Sequence, residues 1–243
     1  ETQQGWEHIS LPAIDSEGKA LWPEKYDIDT LHAYKEQNPY FFKALYMGTP
    51  QTQDGCMFHD ACYFEPDQMP ANVSVAIGLD FNYSSSSDAD YSVAVVLAVD
   101  TAGKKYLLEM YRAQTTAPEF EMVLKFLQNK YGKAFANRYL GMYAYVGGTE
   151  KGVIDMLNQH SKLNIVAVPA TTNKHIRALP LVTAWNAQQI LLPRGSDKNF
   201  VNDILTEFFN FTGRNDKHDD IVDACASALY AIEQGGYGSV GIL

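Results

Sequence analysis

Three apolar segments of strand length follow one another between residues 73 and 112, and no other feature of the sequence restricts the possible folds as strongly. They span residues 73–81, 91–99 and 105–112. Apolar runs of eight or nine residues that are rich in valine are typical of buried strands. Residues 100–103 read DTAG, which is typical of a hairpin connection. The sequence therefore predicts three strands in a meander.

After this meander, the spacing of the apolar residues changes to that of a helix. One helical face contains Phe120, Val123, Leu124, Leu127 and Tyr131. Further elements then alternate: we predict strands at 139–146 and 163–168, and helices at 152–159, 176–187, 200–209 and 219–232. A meander followed by alternating helices and strands predicts an α/β fold, with a mixed sheet that is flanked by helices on both faces. This is the order of elements in the ribonuclease H-like fold.

The first 70 residues differ in character from the rest. Prolines at positions 12, 23, 39, 50, 66 and 70 divide them into short pieces, and one helix is predicted at 29–37. We expect residues 1–70 to form a linker or connecting segment, and residues 71–243 to form the α/β domain.

Asp80 lies near the end of the first predicted strand. Burial of an unpaired carboxylate is costly, and a bound metal ion is one way to offset that cost. For a single aspartate, capping of the following loop is the alternative interpretation. Asp90 lies beyond a run of four serines. A position in a turn or a solvated position is the alternative interpretation for this residue.

A second group of acidic residues stands at the start of the last predicted helix. The segment KHDDIVDACASAL contains His218, Asp219, Asp220 and Asp223. At about 100° per residue, the three aspartates span about 100° of the helix circumference. Capping of the helix N-terminus accounts for one or two of these aspartates. It does not easily account for the third, because the other residues of the helix are mostly apolar. The other interpretation is a Mg²⁺ site, because Mg²⁺ binds carboxylate oxygens that converge from separate elements.

A third acidic residue, Glu150, follows the strand predicted at 139–146 and opens the next helix. An ordinary helix N-terminus with Thr149 as its cap is the alternative. Taken with Asp80 and Asp220, Glu150 completes an Asp, Glu, Asp constellation.

The net charge of −10 argues against a nucleic-acid partner until its distribution is considered. Residues 125–217 carry twelve basic and six acidic side chains, whereas residues 1–70 carry four and twelve. A basic segment between acidic clusters is compatible with a metal site beside an anionic substrate, and an ordinary solvated surface is the alternative. No apolar run approaches the ~20 residues of a membrane span, and three cysteines argue against a disulfide framework.

Three segments in this order resemble the nuclease domain of the large terminase subunit of tailed double-stranded DNA bacteriophages. They are IGLDFNYSSSSDADYSVAVVLAVD, NKHIRALPLVTAWNAQQILLP and KHDDIVDACASALYAI. Residues 11–50 resemble the segment that joins the motor ATPase to the nuclease in that family. The resemblance implies a ribonuclease H-like fold and a metal-dependent endonuclease that cuts concatemeric viral DNA during packaging.

The resemblance also implies roles for individual residues. Asp80, Glu150 and Asp220 would be the catalytic residues and would hold Mg²⁺ or Mn²⁺, with two ions expected. Asp90, His218, Asp219 and Asp223 would be auxiliary residues. Candidate contacts to DNA phosphates are Lys151, Lys174, Arg177, Arg194, Lys198 and Arg214.

Double-stranded DNA is the implied partner of this chain. For the full-length protein the family implies a motor ATPase domain, a portal protein and a small terminase subunit, in the cytoplasm of the infected bacterial host. The motor ATPase is missing, so we expect the chain to be a fragment. A resolvase- or transposase-type nuclease of the same fold and a non-catalytic docking module of the packaging motor are the alternatives. An actin-like or sugar-kinase ATPase would need a second such domain and a second phosphate loop, for which the chain is short.

Overall fold

The computed structural model describes residues 11–15, 17–37, 42, 45–48, 57–81, 91–147, 150–195, 198–213, 216 and 218–236. The chain divides into two compact units, residues 1–55 and 56–243. The first contains helix α1 (Ile28–Gln37), as predicted. Asp27 Oδ1 accepts the backbone N–H of Thr30 at 2.7 Å near the start of this helix. The domain boundary expected at residue 70 stays a prediction, although residues 57–70 lie in the second unit.

The second unit is built on a mixed sheet, which within the described residues has seven strands in the order β1-β7-β4-β3-β2-β5-β6. Neighbours among β2, β3 and β4 pair antiparallel, and the other neighbouring strands pair parallel. The mixed sheet is therefore confirmed. The strands are β1 (Cys62–Phe64), β2 (Val73–Asp80), β3 (Ser92–Asp100), β4 (Lys105–Ala113), β5 (Tyr139–Val146), β6 (Ile165–Pro169) and β7 (Ile190–Pro193).

Five α-helices in the described part of this unit cover the sheet. Along β3, Val95 and Leu97 join a core with the last three helices, whereas Ala94 and Val96 join a core with the first two. Alternate residues of a strand point to opposite faces, so helices lie on both faces, as predicted. None of the helices in the described ranges is both long and apolar enough to cross a membrane. The helices are α2 (Ala117–Phe135), α3 (Glu150–Ser161), α4 (Lys174–Asn186), α5 (Lys198–Phe208) and α6 (Asp220–Gly236).

Gly78 allows α6 to lie directly against β2. A Cβ atom at this position would overlap the backbone of Ala224 and Ala228. One residue further along β2, the backbone N–H of Leu79 donates to Ser227 Oγ at 3.1 Å. These contacts hold the beginning of α6 beside the carboxyl end of β2.

We expect Gly78→Ala to destabilise the protein by about 3 kcal/mol or to prevent folding, because the backbone of α6 would have to move away from the sheet. Gly152→Ala in α3 is the matched control. A Cβ at Gly152 meets nothing within 4 Å, and alanine is the better helix former by about 1 kcal/mol. Urea unfolding measures both effects. A Gly78→Ala protein as stable as the wild type would contradict the close packing of α6 on β2.

Candidate active site

The carboxyl end of the sheet brings β2, β5 and α6 together. β2 and β5 are adjacent and parallel, with Leu79 paired to Ala144, so both strands end at the same edge of the sheet. A cleft of about 300 Å³, the acidic cleft, opens at this edge. Asp80, Glu150 and Asp220 all line it, although 70 residues separate each from the next. The other lining residues are Leu79, Phe81, Tyr145, Gly147, Ala170, Lys174, Arg177 and Asp223.

Asp80 is the last residue of β2. Burial raises the pKa of its carboxyl group well above the usual value, and the charges of Asp223 and Asp220 raise it further, while Lys174 opposes this shift. Its negative charge is therefore poorly compensated. A carboxyl group in such a position favours either a proton or a nearby cation.

Asp220, the first residue of α6, is buried with 4% of its surface exposed. Its Oδ2 accepts the backbone N–H of Tyr91 at 3.5 Å. The N-terminus of a helix favours nearby negative charge, and Asp220 lies at this end of α6.

Glu150 is the first residue of α3, and it follows β5. Its Oε2 is buried and has no hydrogen-bond partner among the described residues. A Cβ on Gly147 would come within 3.0 Å of this atom, so the glycine leaves room for the carboxylate. A buried carboxylate oxygen without a donor is costly, and a bound cation would remove that cost.

Two further aspartates, Asp219 directly before α6 and Asp223 in its first turn, form ion pairs with basic side chains of α4. Lys174 Nζ lies 2.7 Å from Asp219 Oδ1 and 3.1 Å from Asp223 Oδ2. Arg177 Nη2 lies 3.2 Å from Asp223 Oδ1. Burial raises the pKa of Asp219 and Lys174 opposes the shift. Asp219 and Asp223 therefore hold two basic side chains at the acidic cleft.

The acidic cleft fits a divalent cation by the chemistry of its donors. Carboxylate oxygens are the preferred ligands of Mg²⁺ and Mn²⁺, and a cation would relieve both the unpartnered Glu150 oxygen and the uncompensated charge of Asp80. Within the described ranges, no three histidine, cysteine or acidic side chains are close enough together to hold a metal ion. The carboxylate groups of the acidic cleft are thus suitable ligands for a divalent cation. The residues that the structure describes do not form a complete coordination shell.

Other residues predicted from the sequence lie elsewhere. His218 is exposed, and its ring centre is 6.2 Å from that of Tyr91. Lys151 is exposed on α3. Arg194 Nε lies 3.6 Å from Glu65 Oε1. These three predicted residues do not line the acidic cleft. Outside the described part of the chain lie Asp90, Arg214 and the side chain of Lys198.

A second cavity, of about 350 Å³, is lined by several charged residues that the sequence did not single out, among them Glu207 and Arg112. Glu207 on α5 and Arg112 on β4 line it together with Tyr91 and His218. The Arg112 guanidinium carbon lies 3.7 Å from the centre of the Tyr91 ring. Burial raises the pKa of Glu207 to about 8. No local signal identifies Glu207, because only the packing of α5 beside α6 buries it.

The family described as Terminase RNaseH-like domain matches residues 77–231. The large terminase nuclease of thermophilic phage G20c, in a structure with bound zinc, is 23% identical at a TM-score of 0.50 and covers 73% of this chain and 95% of that chain. A second structure of it contains bound magnesium and is 22% identical at the same TM-score, over 73% of this chain and 94% of that chain. The human cytomegalovirus terminase nuclease domain is 11% identical at a TM-score of 0.50, over 70% of this chain and 88% of that chain. No curated protein matches this sequence. At these identities the structural likeness establishes the ribonuclease H-like fold.

Proposed function

The chain belongs to the terminase RNaseH-like domain family, and from this membership we propose that it is a divalent-metal-dependent endonuclease that cuts concatemeric viral DNA during genome packaging. The observation that carries the proposal is the convergence of Asp80, Glu150 and Asp220 on one cleft from β2, α3 and α6. Acids that come from separate elements of one sheet edge are what a metal-dependent nuclease of this fold requires.

In this proposal Asp80, Glu150 and Asp220 hold Mg²⁺ or Mn²⁺. The bound ions would supply Lewis-acid activation of a water molecule and stabilisation of the leaving oxygen of the phosphodiester. The chain's own contribution is to fix three carboxylates at one edge. Asp80 does so from the end of a central strand, and Asp220 from the N-terminus of a helix. The magnesium and zinc in the G20c nuclease structures support the choice of divalent cations.

Lys174 and Arg177 would contact the DNA backbone beside the three acids. Both line the acidic cleft from α4. Lys174 is 49% exposed and can approach a phosphate from the solvent side, whereas Arg177 is 11% exposed and is held by Asp223. Arg177 Nη1 also donates to the backbone oxygen of Thr172 at 2.7 Å, which restricts the side chain further. Phosphate contacts of this kind position the DNA without reading its sequence.

For the full-length protein we propose the further partners that the family implies. Residues 1–70 would connect the nuclease to a motor ATPase domain, and a portal protein and a small terminase subunit would bind the assembled motor. Double-stranded DNA would be the substrate, in the cytoplasm of an infected bacterium.

Nicking of a supercoiled plasmid tests the proposed activity. We expect relaxed and linear products in Mn²⁺ or Mg²⁺, and a rate at least about a hundredfold lower in excess chelator, since the carboxylates alone do not activate water. Readdition of Mn²⁺ beyond the chelator is the control and should restore cleavage. Full activity in chelator would refute metal dependence, and no cleavage under any condition would favour the docking-module alternative.

A further inference from the structure

The N-terminus of α6 is capped from a different helix. The backbone N–H groups of Ile221 and Val222 both donate to Glu207 Oε1 on α5, at 2.6 and 2.9 Å. First-turn amides have no carbonyl partner within their own helix. Since Ile221 and Val222 are only 0% and 1% exposed, these amides depend on a protein acceptor.

Asp219 stands where a capping side chain ordinarily would. Its backbone oxygen accepts the N–H of Asp223 at 3.0 Å, which makes it the N-cap residue of α6, and an N-cap aspartate ordinarily accepts the second or third amide of the helix. Instead, Asp219 Oδ1 accepts Lys174 Nζ at 2.7 Å. The acid at the N-cap is thus directed to the acidic cleft, and an acid from α5 caps the helix in its place.

We propose that Glu207 is a positioning residue of the active site, which caps α6 in place of Asp219 and thereby fixes Asp220 in the acidic cleft. This inference rests on the proposed metal-dependent activity and identifies what sets its geometry. Loss of the cap would leave two buried amides unsatisfied directly after Asp220. The first turn of α6 would then rearrange, and the Asp220 carboxylate would move with it.

The environment of Glu207 supports this role. The residue is 6% exposed, and its Oε2 has no hydrogen-bond partner among the described residues. On the same helix, Ile204 and Phe208 are buried in the core that includes Ile221 and Val222, so the carboxyl group is held firmly against α6. Replacement of a residue that orients a metal ligand without binding the metal commonly lowers metal affinity by about 10–100-fold.

Substitutions of Glu207 test the proposal in the metal-free protein and by Mn²⁺ titration without DNA. Glu207→Leu fills the site without an acceptor. We expect amide hydrogen exchange at Ile221 and Val222, followed by NMR, to become at least about tenfold faster, and Mn²⁺ binding by calorimetry to weaken about tenfold or more. Glu207→Gln keeps an acceptor oxygen and should rescue both properties to within about twofold of wild type. Asp203→Asn, at an exposed position one turn earlier on α5, is the matched control.

Wild-type exchange at both amides in Glu207→Leu, or unchanged Mn²⁺ affinity, would overturn the proposal. So would a loss of Mn²⁺ binding in Glu207→Gln as large as in Glu207→Leu, because Glu207 would then act as a charged ligand itself. If Glu207→Leu does not fold, Glu207→Asp takes its place, because its side chain is one methylene shorter and withdraws the acceptor oxygen. The same faster exchange and weaker Mn²⁺ binding are then expected. A wild-type protein that binds no Mn²⁺ would refute the proposed metal site, and the exchange rates would still decide whether Glu207 caps α6.

Discussion

Replacement of Asp80 by asparagine should lower the rate of Mn²⁺-dependent DNA cleavage by at least about a thousandfold, which corresponds to about 4 kcal/mol in the activation barrier. Asp80 lies at the end of β2, where burial and the charges of Asp223 and Asp220 disfavour its negative charge. Asparagine has nearly the same shape but offers a single neutral carbonyl oxygen, so it cannot compensate a divalent cation. The variant should fold like the wild type, because the substitution removes a poorly compensated charge and not a packing contact.

The rate of loss of supercoiled plasmid measures the effect, and circular dichroism checks the fold. Asp155→Asn is the matched control, since Asp155 is exposed on α3 and does not line the acidic cleft. It should cleave at the wild-type rate. Wild-type cleavage by Asp80→Asn would end the assignment of the acidic cleft as a nuclease site. The same result for Glu150→Gln would only move the middle ligand to another residue.

The longer elements could be predicted from the sequence because their apolar spacing is set by the sheet or helix face that they bury. β5 has the predicted bounds. On the predicted face of α2, Phe120, Leu124, Leu127 and Tyr131 are buried and Val123 is partly buried. β1 and β7 were not predicted, because strands of three and four residues are too short to show an alternation of apolar and polar residues. Their pairing depends on tertiary contacts, namely the parallel alignment of Cys62 with Leu191 and of Lys105 with Ile190.

The candidate site could be predicted in part for a similar reason. Asp80 ends β2, and Glu150 follows β5. Because β2 and β5 are parallel neighbours, the fold class already implies that both residues lie at the same edge of the sheet. Their roles as metal ligands stay predictions. The pairing of Asp223 with Arg177 and the cap that Glu207 provides could not be predicted, because each depends on how α4 or α5 packs beside α6. No spacing in the sequence encodes these contacts.

In the absence of metal, Asp80→Asn should melt higher than the wild type at pH 7, by about 3 °C or more. Because the pKa of Asp80 is raised in the folded state, the folded protein holds this proton more tightly than the unfolded chain does. Below the ordinary carboxyl pKa of about 4, both states are protonated and the variant gains nothing. As the pH rises from about 4 towards the raised folded-state pKa, the unfolded chain has released this proton and the folded protein still holds it, so the wild type loses stability, whereas asparagine has no proton to lose. The gain should therefore appear at pH 7 and vanish near pH 3.

With added Mn²⁺, the wild type should melt at a higher temperature than Asp80→Asn. A ligand that binds only the folded state at one hundred times its dissociation constant stabilises that state by about 2.7 kcal/mol, so the wild-type melting temperature should rise by roughly 5–10 °C. Asp80→Asn should respond much less, because a ligand is missing, while Asp155→Asn should respond like the wild type. Differential scanning fluorimetry across pH, with and without Mn²⁺, measures both effects. Equal melting temperatures of wild type and Asp80→Asn in metal-free buffer at pH 7 would contradict an uncompensated Asp80. Equal Mn²⁺ shifts would mean that the ion binds away from this carboxylate.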